Sequence, residues 1–254
     1  MKTNRRNKRG LMLAFIVLAG TTAFSQLPSR NFGVNADNSA VGRNPRLDFA
    51  FQEIRNKKPF DNGFRVTGSA YFHEDFRRAS IYSSDGLEGI LYVRYNGYAD
   101  LIQIRPRSEN EEAQMLLPRK DIYCVLEATR ISFERYYDKK GDYTEGYLFT
   151  LFELDDMTLY EKRAKLFKEG KEGVTSLELD VPNRYVESRE LYVGRTDDGK
   201  ERIHFLKSTK KEILKLFESE PDATKKLKRF ITDKGLKLKD SKEVIRVFRY
   251  YESL

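Results

Sequence analysis

Between Arg65 and Leu206 the sequence consists of short runs of β-branched and aromatic residues separated by turn-forming residues. Examples are RVTGSAYF, LEGILYVRY and GYLFTLFEL, and most of the runs are bounded by Asp, Asn or Gly. Short runs bounded in this way are typical of antiparallel strands. The pattern predicts a fold that is mainly β with an α tail, in which an antiparallel β-meander forms an open barrel or a sandwich.

Asn96-Gly97 is the strongest hairpin signal in the chain, because a two-residue Asn-Gly loop suits the positive φ angles of a type I′ turn. That loop predicts a register in which Tyr95 lies opposite Tyr98. Arg94 would then lie opposite Ala99, on the other face. We therefore expect Tyr95 to pack on Tyr98, with the aliphatic stem of Arg94 over Leu101.

Residues 158–168 fit either a helix or a strand. Leu159, Arg163 and Phe167 would share one face of a helix, whereas alternation with their neighbours suits a strand. We favour a strand, since the run before it ends in a turn of only a few residues.

The hydrophobic period changes after Ser208, and three helices are predicted in residues 207–254. Thr209 with Glu212 and Asp240 with Glu243 have the spacing of capping boxes, and Gly235 would end the second helix. The third helix has one apolar stripe, from Val244 to Tyr251. We expect the stripe to pack on the body, residues 64–206, and partner recognition is the alternative.

Residues 1–25 have the pattern of a secretory signal peptide, with five basic residues, an apolar run and a small-residue site. We expect cleavage before Gln26, an uncleaved anchor being the alternative. Residues 26–63 are rich in Asn, Ser, Gly and Pro and predict a loosely ordered leader. The remaining chain has 42 basic and 39 acidic groups, a net charge of +3 that does not favour nucleic-acid binding.

The residues that usually carry catalysis are sparse. Cys124 is the only cysteine, so no internal disulfide can form, and its apolar context predicts a buried hydrophobe. His73-Glu74-Asp75 with His204 is the one candidate catalytic group, although we favour a polar cluster at a strand end. We expect no catalytic residue, no metal and no cofactor.

Tyrosines are the main candidates for ligand contacts. The chain has 15 Tyr and 17 Phe but no Trp, and a tyrosine combines a rigid ring with a polar tip. Cross-strand packing would also explain them. The candidate ligand-binding residues are Tyr71, Asp75, Arg94, Tyr95 and Tyr98.

The stretch VTGSAYFHEDF followed by VRYNGYADLIQI resembles a group of uncharacterised exported proteins of Bacteroidota. The shared segment is Gly-Ser-x-Tyr…Asp-Phe, here Gly68 to Phe76, followed by an Arg-Tyr-Asn hairpin at Arg94 to Asn96. The Tyr-Tyr-x-Ser-Leu ending is also similar, whereas Ala70 stands where the group often has Pro. The resemblance implies secretion and a β-then-α layout, and it implies no catalytic residue.

These observations favour an exported, non-enzymatic envelope protein with a binding or scaffolding role. Its partner would be an envelope protein or a surface glycan, and it would lie in the periplasm, at the outer membrane or outside the cell. One alternative is a hydrolase of envelope polymers that uses His73, Glu74 and Asp75 with His204. The other is a docking subunit of an outer-membrane complex that acts through its helical tail. In every case we expect no transmembrane span after signal cleavage.

Overall fold

A computed structural model describes residues 51–52, 63, 65–105, 112–173, 179–197 and 200–254. The expected signal peptide and most of the expected leader therefore lie outside the described residues. The described part is mainly β with three C-terminal helices, which confirms the predicted fold class. The strands are β1 (Phe51–Gln52), β2 (Val66–Thr67), β3 (Arg77–Ser83), β4 (Gly86–Asn96), β5 (Leu101–Arg105), β6 (Gln114–Leu116), β7 (Tyr123–Leu126), β8 (Thr129–Tyr137), β9 (Tyr143–Glu153), β10 (Met157–Lys168), β11 (Asn183–Asp197) and β12 (Lys200–Leu206).

The strands form one twelve-stranded sheet, and the last five close into a ring. Strands β8 to β12 are each paired with the next in sequence, and β12 also pairs with β8. Because five is an odd number, an up-and-down ring brings its first and last strands together in the same direction. The β8–β12 pair is accordingly parallel, and so is the short pair of β2 with β11. These two parallel pairs make the sheet mixed, and they are where the structure departs from the predicted antiparallel meander.

One aromatic or aliphatic side chain from each ring strand joins a single buried cluster: Tyr136, Leu148, Tyr160, Tyr192 and Ile203. A second cluster is formed by residues of the strands from β3 to β9 and includes Cys124, which is fully buried as predicted. Burial raises the pKa of the Cys124 thiol to about 12. The residue therefore behaves as a small core hydrophobe.

The helices are α1 (Lys210–Lys215), α2 (Pro221–Asp233) and α3 (Ser241–Glu252). The side chains of Thr209 and Asp240 cap α1 and α3 by accepting hydrogen bonds from Glu212 and Glu243, as the sequence predicts. Gly235, with a φ of +59°, ends α2. The apolar stripe of α3 packs in a third core cluster, which also contains β-strand residues. Val244, Val247 and Phe248 are fully buried there.

The stretch that fits either a helix or a strand in the sequence is a strand. Residues Met157–Lys168 form β10, which confirms the favoured interpretation. Phe51–Gln52, inside the expected leader, form a two-residue strand that pairs with β6.

The β4–β5 hairpin differs from the prediction by its loop length. Tyr95 lies opposite Ile102, and four residues, Gly97 to Asp100, form the turn. The Asn96 side chain organises it by accepting hydrogen bonds at 3.0 Å from the backbone N–H groups of Tyr98 and Ala99. Asp100, not Gly97, takes a positive φ, of +53°. The predicted two-residue loop and its register were wrong because an Asx-type turn replaces the type I′ turn.

Candidate functional site

Arg94 fastens the segment before β3 to the sheet. Its guanidinium lies over the ring of Tyr71, 3.8 Å from the centroid, and over that of Phe76, at 4.4 Å. Nη1 donates a hydrogen bond of 2.8 Å to the carbonyl oxygen of Glu74, and Nε and Nη2 donate to Gln103. Burial lowers the pKa of Arg94. Two aromatic rings and two hydrogen-bond acceptors of the chain itself thus surround this cation.

The segment held by Arg94 runs across the sheet as a strap and lines a small cavity of about 50 Å³ through Phe72, His73 and Asp75. We call it the strap cavity. Its floor is apolar and its rim is charged, the arrangement usual in ligand sites. The floor includes Phe72, Val93, Tyr95, Ile131 and Phe149. The rim includes His73, Asp75, Arg77, Glu127 and Arg163. Three of the five candidate ligand-binding residues, Asp75, Arg94 and Tyr95, line this cavity, and so does His73.

The rim cations are held in place by carboxylates. Arg77 donates to Glu127 at 2.6 Å. Arg163 donates from Nε to Glu161 at 2.6 Å, and its guanidinium lies 4.1 Å from the centroid of the Phe149 ring. Glu161 is almost fully buried and also receives Arg189, so two cations share one carboxylate. Arg189 also lies 3.5 Å from Glu187. The rim thus holds guanidinium donors in fixed positions, which suits a ligand group with acceptor oxygens.

Tyr95 has a structural role beneath the cavity. Its hydroxyl lies 2.6 Å from Asp100 Oδ1 and 2.8 Å from the carbonyl oxygen of Arg163, and it shares its single hydrogen between them. Burial and the neighbouring Asp100 raise the pKa of Tyr95 well above its usual range. Asp100 also accepts a hydrogen bond of 2.5 Å from Lys162.

Tyr98 does not pack on Tyr95. The four-residue turn carries its ring away to contact Phe167 and Tyr185, edge to face, with centroid distances of 6.3 and 5.6 Å. Tyr71 stacks on Arg94 and makes an isolated bridge with Asn96. Two of the five candidate residues thus lie outside the lining of the strap cavity.

The two histidines are not brought together around the strap cavity. His73 is exposed at its rim, whereas His204 lies on β12 and stacks on Tyr137 with a centroid distance of 4.7 Å. His204 does not line the cavity. The arrangement that a His73–His204 hydrolase requires is therefore not formed there.

A second depression, of about 480 Å³, opens on the other face of the sheet beside β8 and β9. We call it the edge groove. Tyr82 and Tyr123 stack in it with a centroid distance of 5.0 Å, and Arg130 lies 4.2 Å from the Tyr123 centroid. Its remaining walls come from Val125 and from the end of β9, Thr150–Glu153.

Sequence reasoning missed Arg163, Phe149 and the edge groove. Arg163 was considered only as part of a helical face, and the alternation of Glu161, Arg163 and Lys165 on one side of a strand was the available signal. Tyr82 and Tyr123 are distant in sequence and become neighbours only through the β3–β7 pairing. No local sequence pattern predicts a contact between residues so far apart in the chain.

Among the described residues, no group of three or more His, Cys, Asp or Glu side chains is placed to hold a metal ion. None of the described helices is both long and apolar enough to cross a membrane. Comparison of the chain with protein-family models, with curated proteins and with solved structures finds no match. The functional argument therefore depends on the residues of the chain itself.

Proposed function

We propose that the chain is an exported, non-enzymatic binding or scaffolding protein of the bacterial cell envelope. Its partner is an envelope protein or a surface glycan, met in the periplasm, at the outer membrane or outside the cell. The strap cavity is the observation that carries this proposal, because a fixed charged rim surrounds an apolar floor. Its 50 Å³ admits one substituent of a larger ligand, a carboxylate for example, rather than a whole ligand.

The targeting pattern of residues 1–25 supports the export part of the proposal. Expression of the whole chain in a bacterial host with an envelope, followed by fractionation and N-terminal sequencing, tests it. We expect the protein outside the cytoplasm with Gln26 as its first residue. A full-length protein that remains in the cytoplasm would contradict export and leave the binding role to be tested separately.

Binding at the strap cavity is tested with residues 26–254 and isolated envelope fractions, one proteinaceous and one polysaccharide. The double variant His73→Gln, Arg77→Gln removes an imidazole and a guanidinium from the rim without changing the core. We expect it to weaken retention of the bound component about tenfold, since a hydrogen bond from a charged donor to an acceptor oxygen contributes about 1.5–3 kcal/mol. The double variant Arg135→Gln, His204→Gln is the matched control, because Arg135 pairs with an exposed glutamate as Arg77 does, and neither residue lines the cavity.

Equal retention by the double variant and the control would contradict the proposed site. Release of soluble products from an envelope polymer, lost in His73→Ala, would replace the binding role with the hydrolase alternative. The docking alternative is not favoured, because the α3 stripe from which it would act is packed in the core at Val244, Val247 and Phe248.

A further inference from the structure

Strand β9 changes neighbours at Phe149. From Tyr143 to Phe149 it pairs with β8, and from Phe149 to Glu153 it pairs with β10. Leu151 is an extra residue in the second half, since Leu159 pairs with Phe152 and Tyr160 with Thr150. Such a bulge bends a strand and increases its twist, which is how β9 departs from β8.

The change of neighbour leaves one gap on each side of β9. The first lies between the beginning of β9 and the end of β10, beyond the Phe149–Glu161 pair. The second lies between the beginning of β8 and the end of β9, beyond the Phe149–Ile131 pair, and it is the edge groove. Strand edges that diverge in this way leave backbone hydrogen-bonding groups without a ladder partner.

The first gap is filled by the chain. The backbone N–H of Lys165 donates 2.9 Å to the carbonyl oxygen of Gly97, in the β4–β5 turn. The Lys162 ammonium donates 3.2 Å to the carbonyl oxygen of Tyr147, and the Tyr95 hydroxyl reaches that of Arg163. A polypeptide turn and one buried cation thus satisfy the backbone groups that the divergence exposes.

The second gap has backbone groups of the same kind and no such filling among the described residues. Leu126 and Thr129 flank the two-residue turn Glu127–Ala128, whose φ angles are +49° and +64°, and they form its hydrogen-bonded pair. Thr129 directs its backbone N–H and C=O groups to β7, and alternate residues of a strand direct these groups to opposite sides. Arg130 therefore directs its N–H and C=O groups into the groove. Arg130 and Thr150 would be the next hydrogen-bonded pair if the β8–β9 ladder continued.

The dimensions and charges of the edge groove suit a short extended segment. One wall of the groove is the end of β9, the four residues Thr150–Glu153. At roughly 3.3 Å per residue this wall is about 13 Å long. Its volume of about 480 Å³ lies in the ordinary range of ligand sites. Arg130 and Glu153, both exposed, place opposite charges at its walls, above the apolar surface of Val125 and the stacked tyrosines.

We propose that the edge groove binds an extended polypeptide segment of a partner, which adds a strand between the diverging ends of β8 and β9. The backbone groups of Arg130 and Thr150 call for a ligand with regularly spaced N–H and C=O groups, which a peptide has and a glycan lacks. In the first gap a polypeptide turn already supplies a backbone partner, the carbonyl oxygen of Gly97. The inference deepens the proposed binding role by naming an extended peptide as the partner, and it is independent of the strap cavity.

The test uses immobilised residues 26–254 to select peptides of about ten residues from a random displayed library. Isothermal titration calorimetry then measures the affinity of the selected peptides. Val125→Trp fills the groove from its floor. Ile90→Trp is the matched control, because Ile90 and Val125 flank Ser80 on the same face of the sheet, and only Val125 lines the groove. We expect affinity to fall about tenfold or more in Val125→Trp and to be unchanged in Ile90→Trp.

Strand insertion also predicts the effect of methylating the peptide backbone. A strand between β8 and β9 donates from alternate residues to each side, so methylating the nitrogens of either alternate set should abolish binding. Binding that survives methylation of either set, or equal affinity for Val125→Trp and Ile90→Trp, would overturn the proposal.

Two further outcomes would also overturn it. Failure of any peptide to enrich over the bare support, while an envelope component still binds at the strap cavity, would remove the peptide ligand and leave the proposed function standing. A dimer in analytical ultracentrifugation that Val125→Trp dissociates and Ile90→Trp does not would assign the groove to a second copy of the chain.

Discussion

The two gaps beside β9 arise from one event, the change of neighbour at Phe149, and yet they differ in what occupies them. In the first, Gly97, Asp100 and Lys162 supply backbone and charged partners from the chain itself. In the second, stacked tyrosines and strand edges surround an open groove of about 480 Å³. The contrast teaches that the same local geometry contributes to stability when the chain fills it, and offers a binding surface when it does not.

Lys162→Met should produce the largest loss of stability. The substitution leaves Asp100 without its cation and the Tyr147 carbonyl without its donor. Removing one partner of a buried pair costs roughly 3–5 kcal/mol, and the partial exposure of Asp100 reduces this to about 2–3 kcal/mol. Urea denaturation measures the free energy of unfolding.

Arg130→Met, in the open gap, is the control for Lys162→Met. We expect it to change the free energy of unfolding by less than about 0.5 kcal/mol, because Arg130 is exposed. Equal losses in the two variants would mean that the gaps do not differ as described.

Gly97→Ala tests how closely the turn is held in the filled gap. A Cβ there would lie 2.7 Å from Phe72 Cε2 and 3.2 Å from the backbone nitrogen of Lys165. Overpacking of this kind costs about 1–3 kcal/mol. Thermal unfolding should show a lowered Tm, and an unchanged Tm would indicate that the turn has room to move.

Alkaline pH should weaken the fold through its buried phenols. Burial raises the pKa of Tyr95 and Tyr147 in the folded state above the unfolded value of about 10. The resulting stability is fully present below about pH 10 and is lost as pH rises toward the folded pKa values, by up to about 1.4 kcal/mol per pH unit for each phenol. Burial lowers the pKa of Lys162, so this group taken alone makes the free energy of unfolding rise with pH.

Urea denaturation at a series of pH values from 8 to 11 measures this dependence (roughly the range over which a free phenol titrates). We expect the free energy of unfolding to fall steadily above about pH 10. A free energy that rises with pH in this range would show that the lysine outweighs the phenols.

Ala128→Gly should give the smallest effect, and with the opposite sign. Ala128 borders the open gap with a φ of +64°, a conformation that glycine adopts without strain. We expect the free energy of unfolding to rise by about 0.5–1 kcal/mol. Ala164→Gly, within β10, is the control and should lower it by about the same amount. A loss of stability in both variants would contradict the account of the turn.

Local features of the fold could be predicted from the sequence. The caps at Thr209 and Asp240, the glycine stop at Gly235 and the burial of Cys124 depend on neighbouring residues, and all are confirmed. The choice of a strand for β10 also depended on local turn spacing, and it is confirmed.

Features that depend on distant residues could not be predicted. The hairpin register is the exception, a local prediction that was wrong because the Asn96 side chain binds the N–H groups of Tyr98 and Ala99 and determines the turn. The bulge at Leu151 and the ring closure through β12 follow from pairing across the sheet, for which the sequence has no local signal. For the same reason the candidate ligand-binding residues included Asp75, Arg94 and Tyr95 of the cavity lining but not Arg163 or Phe149.

Native-state hydrogen exchange tests the difference between the two gaps most directly. Ser132 and Leu148 form the last hydrogen-bonded pair of the β8–β9 ladder before it divides, and Arg130 and Thr150 come next. We predict that the amides of Arg130 and Thr150 exchange roughly a hundredfold faster than those of Ser132, Leu148 and Lys165. Equal protection of all five amides would show that the second gap is already filled in the free protein, and would contradict the account.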